Sequence, residues 1–595
     1  MPSPAPSQFR NLLALVLALA GLGCSNLCAT DLQLHILPLA GQTPLKLDSL
    51  THQNTAGDTW SVTRLSYFVS GVSLQRPDAT WLDCPTALAW LNATSNRNSV
   101  LVQNIPPGDY QALKFHVGLT PSQNASDAAS HPPEHPLNPN LNGLHWSWLG
   151  GYIFFALEGR FHTKDNPALQ GYAYHLARDP FRTAITLPCK LSLQKNASLN
   201  LGINIATLFD GVSPISFARD GTSTHSKDGD PLATALQSNL ARSFSLLPET
   251  SPNQESSPQQ ISKTFDLPAT YTAYKFELPG TFPLPALPKD NPLLNERIAL
   301  GRRLFHETAL SKNNRLSCAS CHLSEAALTD PRQFSLGIEN RLGNRNAMPL
   351  FNLAWKSAFF WDGRAPTLRA QVLQPIQDHR EMDESLDNVT AKLAAIPSYQ
   401  DAFQKAFGSG QITAHNLSLA LENFLLTLTS FNSKFDRAHR GEAELTDLEK
   451  IGFQLFMTER EPRLGSMGGD CFHCHGGALF TDHQFRNNGL AIDEKDLGRF
   501  LNTKASLDRG AFSTPSLRNI ALTAPYMHDG RFATLEQVLD HYSEGIQYTD
   551  TLDPNLAKHP GGGLLLSPED KQALIAFLKT LTDDQFIEST RLEKR

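Results

Sequence analysis

Hydrophobic and polar positions alternate along the first part of the chain, and short alternating runs occur at 32–36, 113–117 and 172–176. Alternation with a period of two is typical of β-strands that bury one face. Glycine, proline and asparagine separate these runs, as expected for short strands joined by turns. We therefore predict an all-β, sandwich-like domain over residues 31–245.

Beyond residue 290 the apolar positions take on a helical spacing. In one stretch Leu417, Leu421 and Phe424 form a single stripe, as in an amphipathic helix. The stretches predicted to be helical are 292–307, 414–429, 445–457 and 567–581. Between the two halves, residues 246–290 are rich in proline, serine and glutamine, which is typical of a linker.

Residues 1–30 have the pattern of a secretory signal peptide. Arg10 precedes an apolar run over 12–22, which is shorter than the roughly 20 residues of a membrane-spanning helix. Cleavage near Ala29 would release the protein into the periplasm, and a lipid anchor on Cys24 is the alternative. No later stretch is apolar enough for a transmembrane span. The net charge of −7 argues against a nucleic-acid partner.

Two other cysteines, Cys84 and Cys189, fall in the predicted β domain. An oxidising compartment would allow a disulfide between them. Two buried free thiols are the alternative.

Two C-x-x-C-H pentapeptides each follow a predicted helix. Two thiols at this spacing reach the two vinyl groups of one porphyrin, and the adjacent histidine becomes the proximal iron ligand. One such pentapeptide alone could be a zinc half-site, but two of them in an exported chain predict two covalently bound haem c groups. The attachment residues are Cys318, Cys321 and His322 for the first haem and Cys471, Cys474 and His475 for the second. We expect two mainly α, class I cytochrome c-like domains, 291–440 and 441–595.

Further motifs of the helical half occur in an order known from one family. They are LGRRLF (300–305), FWDGR (360–364), EM (381–382), FSTPSLRN (512–519) and PYMHDG (525–530). Through them residues 291–585 resemble the bacterial di-haem cytochrome c peroxidase and MauG superfamily. The resemblance implies an enzyme that uses hydrogen peroxide, with a peroxidatic haem on His322 and an electron-transfer haem on His475.

The resemblance also implies which residues cover the first haem. Gln371 and Glu381 match, by spacing, the glutamine and glutamate that lie over its open face. A carboxylate there can move a proton between the two peroxide oxygens, and a solvated loop carboxylate is the alternative. The distal histidine of ordinary family members would fall near 337–338, where the chain has none. We therefore expect an open iron that needs no reductive activation.

The second haem is where the chain departs from ordinary cytochrome c peroxidases. Their methionine ligand lies fourteen residues beyond the histidine of PYxHDG, here His528, and that position is Tyr542, as in MauG. The resemblance makes Tyr542 the axial ligand, with Met527 as the alternative. An anionic oxygen ligand favours the more oxidised states of iron, whereas a thioether favours the reduced state.

Two further roles follow from the same resemblance. Trp361 is expected to lie between the haems and to carry electrons or holes. Asn346, Thr523 and Pro525 match an inter-haem calcium site, and amide and carbonyl oxygens suit Ca²⁺.

The β half has motifs of its own. They are SVTRLSYFVS (61–70), HPLNP (135–139), GLHWSWLGGY (143–152), YH (174–175) and THS (224–226). Through them the half resembles the MbnP-like family of periplasmic copper-binding proteins. The resemblance implies that a MauG-like enzyme oxidises a tryptophan to kynurenine, which then helps to bind copper.

Several residues of this half are candidates for that chemistry. The candidate Cu(I) ligands are His35, His116, His135, His145, His175 and His225. Imidazoles suit copper, and scattered surface histidines are the alternative. The candidate oxidised tryptophans are Trp146, Trp148 and Trp60, and sandwich-core aromatics are the alternative.

The sequence as a whole predicts a periplasmic MauG-type di-haem peroxidase that oxidises a tryptophan of its own N-terminal domain. One alternative is a conventional cytochrome c peroxidase that detoxifies hydrogen peroxide with electrons from a small redox protein. A second is a copper-binding or copper-delivery protein whose haem half only matures the site.

Overall fold

The computed structural model describes residues 29–146, 150–248, 267–491, 493, 495–559 and 561–592. The predicted signal peptide with Cys24, part of the predicted linker and Trp148 lie outside them. Among the described residues, no helix has the length and apolar character needed to cross a membrane.

Two β-sheets that share one hydrophobic core form the N-terminal half. The strands are β1 (Thr30–Ala40), β2 (Thr43–Pro44), β3 (His52–Gln53), β4 (Thr59–Trp60), β5 (Arg64–Gln75), β6 (Trp81–Asn92), β7 (Ser99–Ile105), β8 (Gly108–Val117), β9 (Ile153–His162), β10 (Gln170–Ala177), β11 (Thr183–Leu193), β12 (Ala197–Asn204), β13 (Ser223–Thr224) and β14 (Phe244–Leu246). The larger sheet has the order β11-β8-β5-β9-β10-β13, and the smaller has the order β14-β12-β1-β2. The three alternating runs lie in β1, β8 and β10, which confirms them as strands.

Alternation in β1 places its leucines in the core. Leu32, Leu34 and Ile36 are fully buried, whereas Gln33 and His35 on the other face are half-buried. The predicted disulfide is wrong for this structure: Cys84 and Cys189 are both buried, and both are free thiols.

Helices predominate after residue 290, and a few others lie in the β half. The helices are α1 (Pro121–Asn124), α2 (Pro139–Asn142), α3 (Ala206–Asp210), α4 (Phe217–Asp220) and α5 (Pro231–Leu240) in the β half, then α6 (Asn295–Phe305), α7 (Leu368–Gln371), α8 (Gln374–Gln377), α9 (Leu386–Ala394), α10 (Pro397–Phe407), α11 (Ala414–Leu426), α12 (Lys434–His439), α13 (Asp447–Phe456), α14 (Phe472–His475), α15 (Phe500–Thr503), α16 (Leu535–Asp540), α17 (Pro554–Ala557), α18 (Pro568–Lys579) and α19 (Asp584–Leu592). Short strand pairs occur at β15 (Arg460–Glu461) with β16 (Ser466–Met467) and at β17 (Phe485–Arg486) with β18 (Phe512–Ser513). The four helical predictions are confirmed as α6, α11, α13 and α18.

The helical half contains two hydrophobic cores built in the same way. In one, α6 crosses α11 where Gly301 lies against the backbone of Ala420. In the other, α13 crosses α18 where Gly452 lies against the backbone of Ala573. A Cβ at either glycine would overlap the facing carbonyl oxygen, so each crossing depends on glycine.

The β half packs directly against the second of these helical units. Gly171 on β10 lies so close to Pro554 of α17 that a Cβ would overlap the Pro554 carbonyl oxygen. The Arg160 guanidinium on β9 donates to the Leu552 carbonyl at 2.9 and 3.2 Å. This packing brings β10 and β13 close to the second C-x-x-C-H segment.

Candidate active site and metal centre

Each C-x-x-C-H segment forms a short helical turn that fixes its histidine. Cys318–Ser320 is a 3-10 turn, and α14 contains the second segment. Nδ1 of His322 lies 2.9 Å from the Leu328 carbonyl oxygen, and Nδ1 of His475 lies 3.2 Å from that of Phe480. A proton on Nδ1 donates to the carbonyl, which leaves Nε2 of each ring able to bind a metal.

The surroundings of the second segment fit a haem group. A cavity there is bordered by both cysteines and by His475, and its other walls are largely apolar. The apolar lining includes Leu535, Leu539, Leu564, Leu566, Leu574 and Leu578. Burial lowers the pKa of His475, which keeps the imidazole in the neutral form that binds iron. An apolar cavity with two thiols and a neutral imidazole has the chemistry that a covalently attached porphyrin needs.

Tyr542 and Met527 both line this cavity, together with His475. Asn488 stands between them, because its Nδ2 donates to the Tyr542 hydroxyl at 3.3 Å and lies 3.4 Å from the Met527 sulfur. Tyr542 is part of a π-helical turn, His541–Gly545, which follows α16, and such turns are frequent at functional sites. Burial raises the pKa of Tyr542 to about 12.

Trp361 and the three predicted calcium residues border the same cavity. The buried Trp361 donates from Nε1 to the Asn346 carbonyl at 2.8 Å. The Asn346 side-chain nitrogen donates to the carbonyls of Arg332 and Gln333, each at 3.2 Å. Asn346 thus contacts Trp361 directly, and Thr523 and Pro525 border the same cavity.

Glu381 lies near the first C-x-x-C-H segment. Its carboxylate is close enough to act electrostatically on the thiols of Cys318 and Cys321. Burial raises the pKa of Glu381 to about 7, with a further contribution from Asp378. Gln371 is half-buried at the end of α7.

The loop at the expected distal-histidine position packs on Glu381. The backbone N–H of Ile338 donates to the Glu381 carbonyl at 2.7 Å. Gly337 faces the Arg380 carbonyl, and a Cβ there would overlap that oxygen. The chain therefore has neither a histidine nor space for a side chain at Gly337.

Three histidines meet where the two halves of the chain are in contact. His175 comes from β10, His225 directly follows β13, and His473 stands between Cys471 and Cys474. One ring nitrogen of each lies within 4.8 Å of those of the other two. Burial lowers the pKa of His175 to about 3 and also lowers that of His473. The imidazoles of His175 and His473 are therefore neutral at physiological pH, as metal ligands must be.

The structure does not bring the six candidate histidines together at one place. His35 lies in the smaller sheet, and His116 lies on β8, which β5 and β9 separate from His175 on β10. His135 stacks on His131 at a centroid distance of 4.5 Å, and His145 interacts electrostatically with His131. Only His175 and His225 of the six belong to the three-histidine group.

The candidate tryptophans are in different surroundings. The Trp146 ring lies 6.2 Å from the His225 ring, centroid to centroid. Trp60 is fully buried in the sheet core. The centroid of its ring lies 4.8 Å from that of His52 and 4.6 Å from that of Phe209. Trp148 lies outside the described residues.

Comparison with known proteins supports the family resemblance of each half of the chain. The family model for di-haem cytochrome c peroxidase matches residues 295–444, and the model for MbnP matches residues 29–226. The methylamine utilization protein MauG of Methylorubrum extorquens is 37% identical over 310 residues, 52% of this chain and 83% of the relative. The cytochrome c551 peroxidase of Nitrosomonas europaea is 32% identical over 308 residues, 51% of this chain and 84% of the relative.

A solved MauG-like protein associated with microbial copper homeostasis is 36% identical, with a TM-score of 0.48, and the match covers 54% of this chain and 98% of that one. The chain belongs to the di-haem cytochrome c peroxidase family, here joined to an MbnP region. It is therefore a peroxidase with two haem groups and a peroxide substrate.

Sequence reasoning did not find His473 or the acidic residues around the histidines. Glu158 lies 3.0 Å from Nε2 of His175, Glu459 contacts Nδ1 of His225, and Asp470 lies 2.9 Å from Nε2 of His473. The one sign of this site in the sequence is His473 itself, a histidine between Cys471 and Cys474. Its partners become visible only when the two halves are packed together.

Proposed function

We propose that the protein is a periplasmic MauG-type peroxidase that uses hydrogen peroxide to oxidise Trp146 of its own β domain. The observation that carries the proposal is a series of adjacent rings. Trp146 neighbours His225, and His225 lies 5.7 Å from Phe472 and 4.7 Å from His473, centroid to centroid. Phe472 and His473 are the two residues between the cysteines of the second haem-binding segment.

Peroxide reacts at the site under Glu381. With a pKa near 7, this carboxylate can take a proton from one peroxide oxygen and return it to the other. Gln371 helps to position the substrate. Bound haem supplies the oxidising power, and the protein groups hold peroxide and move its proton.

Electrons leave the Trp146 indole through the rings of His225 and Phe472. Trp361 borders the cavity beside the second C-x-x-C-H segment and carries the electrons on toward the peroxide site. On this proposal Tyr542, rather than Met527, would hold the iron of the second haem together with His475, and Asn346, Thr523 and Pro525 would hold one Ca²⁺. The repeated crossings at Gly301 and Gly452 support two cytochrome c-like domains, 291–440 and 441–595.

The oxidation of one tryptophan consumes two molecules of hydrogen peroxide. The bond between C2 and C3 of the indole breaks, each carbon gains a carbonyl oxygen, and two waters are formed. Four electrons pass from the indole to peroxide. Hydrolysis then releases the formyl group as formate and leaves kynurenine. Its ketone oxygen and its amine, the former indole nitrogen, would lie beside His225 and could contribute to a copper site with His175.

Mass spectrometry of the holo-protein before and after peroxide tests this function. We expect the peptide that contains Trp146 to gain two oxygen atoms and then to lose the formyl group, with fragmentation placing the change on Trp146. A Trp146→Phe variant should lack the change, whereas Trp60→Phe should keep it. An unmodified Trp146 in protein that consumes peroxide would contradict the proposal and would favour a conventional peroxidase.

A further inference from the structure

We propose that His473, between the two haem-binding cysteines, is the third ligand of a copper ion that His175 and His225 bind from the β domain. The site would then be shared by both halves of the chain and would stand directly against the second haem. The choice of copper rests on the proposed function above, whereas the ligand set rests on geometry alone.

The three rings are arranged around a common point. Their centroids are 4.7 Å apart for His175 and His225, 4.7 Å for His225 and His473, and 5.7 Å for His175 and His473. Nδ1 of His175 lies 2.9 Å from Nε2 of His225. An ion that enters between the rings needs only small ring movements to reach three nitrogens.

Each ring has a carboxylate partner. In His175 and His225 that partner is on the nitrogen opposite to the one that faces the other ring. Glu158 holds Nε2 of His175, Glu459 contacts Nδ1 of His225, and Asp470 holds Nε2 of His473. Metal-bound histidines commonly have this carboxylate partner, which fixes the ring and increases the basicity of the ligating nitrogen. Three histidine–carboxylate pairs within one group of neighbouring rings are an arrangement expected of a metal site.

The charges around the histidines favour a cation. Lys558 lies 3.3 Å from Nε2 of His473, but it also pairs with Glu459 at 2.7 Å and with Asp470 at 3.1 Å. Arg64 pairs with Glu158 at 2.8 Å. Arg486 also acts on Glu158 but is itself paired with Asp482 and Asp553, and His559 lies 2.6 Å from Asp470. In direct ion pairs with lysine or arginine these three carboxylates outnumber their partners by one, and a bound cation would offset the difference.

The position of His473 gives the site a consequence for the haem. Cys471 and Cys474 flank His473, so an ion on its ring would be close to a porphyrin that these cysteines would hold. A positive charge there stabilises the reduced haem, and by linkage haem reduction strengthens copper binding. The affinity for copper and the reduction potential of the second haem would then depend on each other.

The test measures Cu(I) affinity of the full-length holo-protein by competition with a chromogenic chelator, before and after exposure to peroxide. We expect His473→Gln to weaken binding at least tenfold, and Asp470→Asn, which leaves all three histidines in place, to weaken it about tenfold. His379→Gln, at an exposed position with 68% of its side chain accessible, is the control and should bind like the parent. Absorption spectra verify that every variant carries both haems.

A second readout is the reduction potential of the second haem with and without Cu(I). We expect a positive shift in the parent protein and in His379→Gln, and no shift in His473→Gln. Parent-like affinity in His473→Gln, or a preference for Zn²⁺ that excludes Cu(I), would overturn the proposal. If copper bound only after peroxide and independently of His473, the shared site would be wrong while the proposed oxidation of Trp146 would stand.

Discussion

At the scale of single residues, Glu381 has the properties of an acid–base group at neutral pH. Burial removes water from its carboxylate, and Asp378 adds repulsion that Arg364 only partly offsets, so its pKa rises to about 7. A solvated glutamate has a pKa near 4.3 and would stay ionised at physiological pH. The sequence identified this residue by spacing, but only the fold explains its altered pKa.

The raised pKa predicts a pH dependence. Below pH 7 the Glu381 carboxyl is protonated and cannot accept a proton from peroxide, so kcat/KM for peroxide should rise with pH through about 7 and then level off. Glu381→Gln should remove this inflection and lower kcat/KM by roughly a hundredfold or more. A pH profile of peroxide consumption measures both effects.

The matched control is Glu339→Gln, which changes an exposed carboxylate in the adjacent loop. It should keep the inflection and the rate. An unchanged pH profile in Glu381→Gln would show that another group moves the proton.

At the scale of elements, the sequence patterns predicted strands and helices well because their periods are local properties. The runs at 32–36 and 172–176 and the stripe on Leu417, Leu421 and Phe424 each depend on neighbouring side chains that the chain itself places on one face. The contact between β10 and α17 has no such local signal. It depends on Gly171 facing the backbone of Pro554, and these residues are distant in the sequence.

The close β10–α17 contact predicts that adding one methyl group at Gly171 will slow the oxidation of Trp146. Gly171→Ala would push β10 away from α17, because its Cβ would overlap the Pro554 carbonyl oxygen. Overpacking of this kind typically costs about 1–3 kcal/mol. We expect oxidation of Trp146 to slow more than tenfold, as measured by mass spectrometry, while peroxide consumption with an added electron donor stays near the parent rate.

Gly108→Ala is the control, because a Cβ at Gly108 meets no atom within 4 Å. This variant should modify Trp146 at the parent rate. Equal rates in both glycine variants would mean that the β10–α17 contact does not set the distance between Trp146 and the second haem.

At the scale of the whole molecule, the two halves create features that neither contains alone. The haem-binding cysteines and the position of Tyr542 could be predicted, because fixed spacings encode them. The three-histidine group could not, since His175, His225 and His473 come from three separate segments and meet only through packing. The sequence places Trp146 in the motif 143–152, but its position beside the His225 ring becomes visible only in the packed structure.

The most direct test of the account is the rate at which Trp146 is oxidised as the protein is diluted at a fixed peroxide concentration. If enzyme and substrate are on one chain, as proposed, their effective concentration does not change with dilution. We predict that the first-order rate constant, followed by the mass of the Trp146 peptide, stays the same over a hundredfold dilution. A rate constant that falls in proportion to protein concentration, or a Trp146 that is never modified, would contradict the central claim.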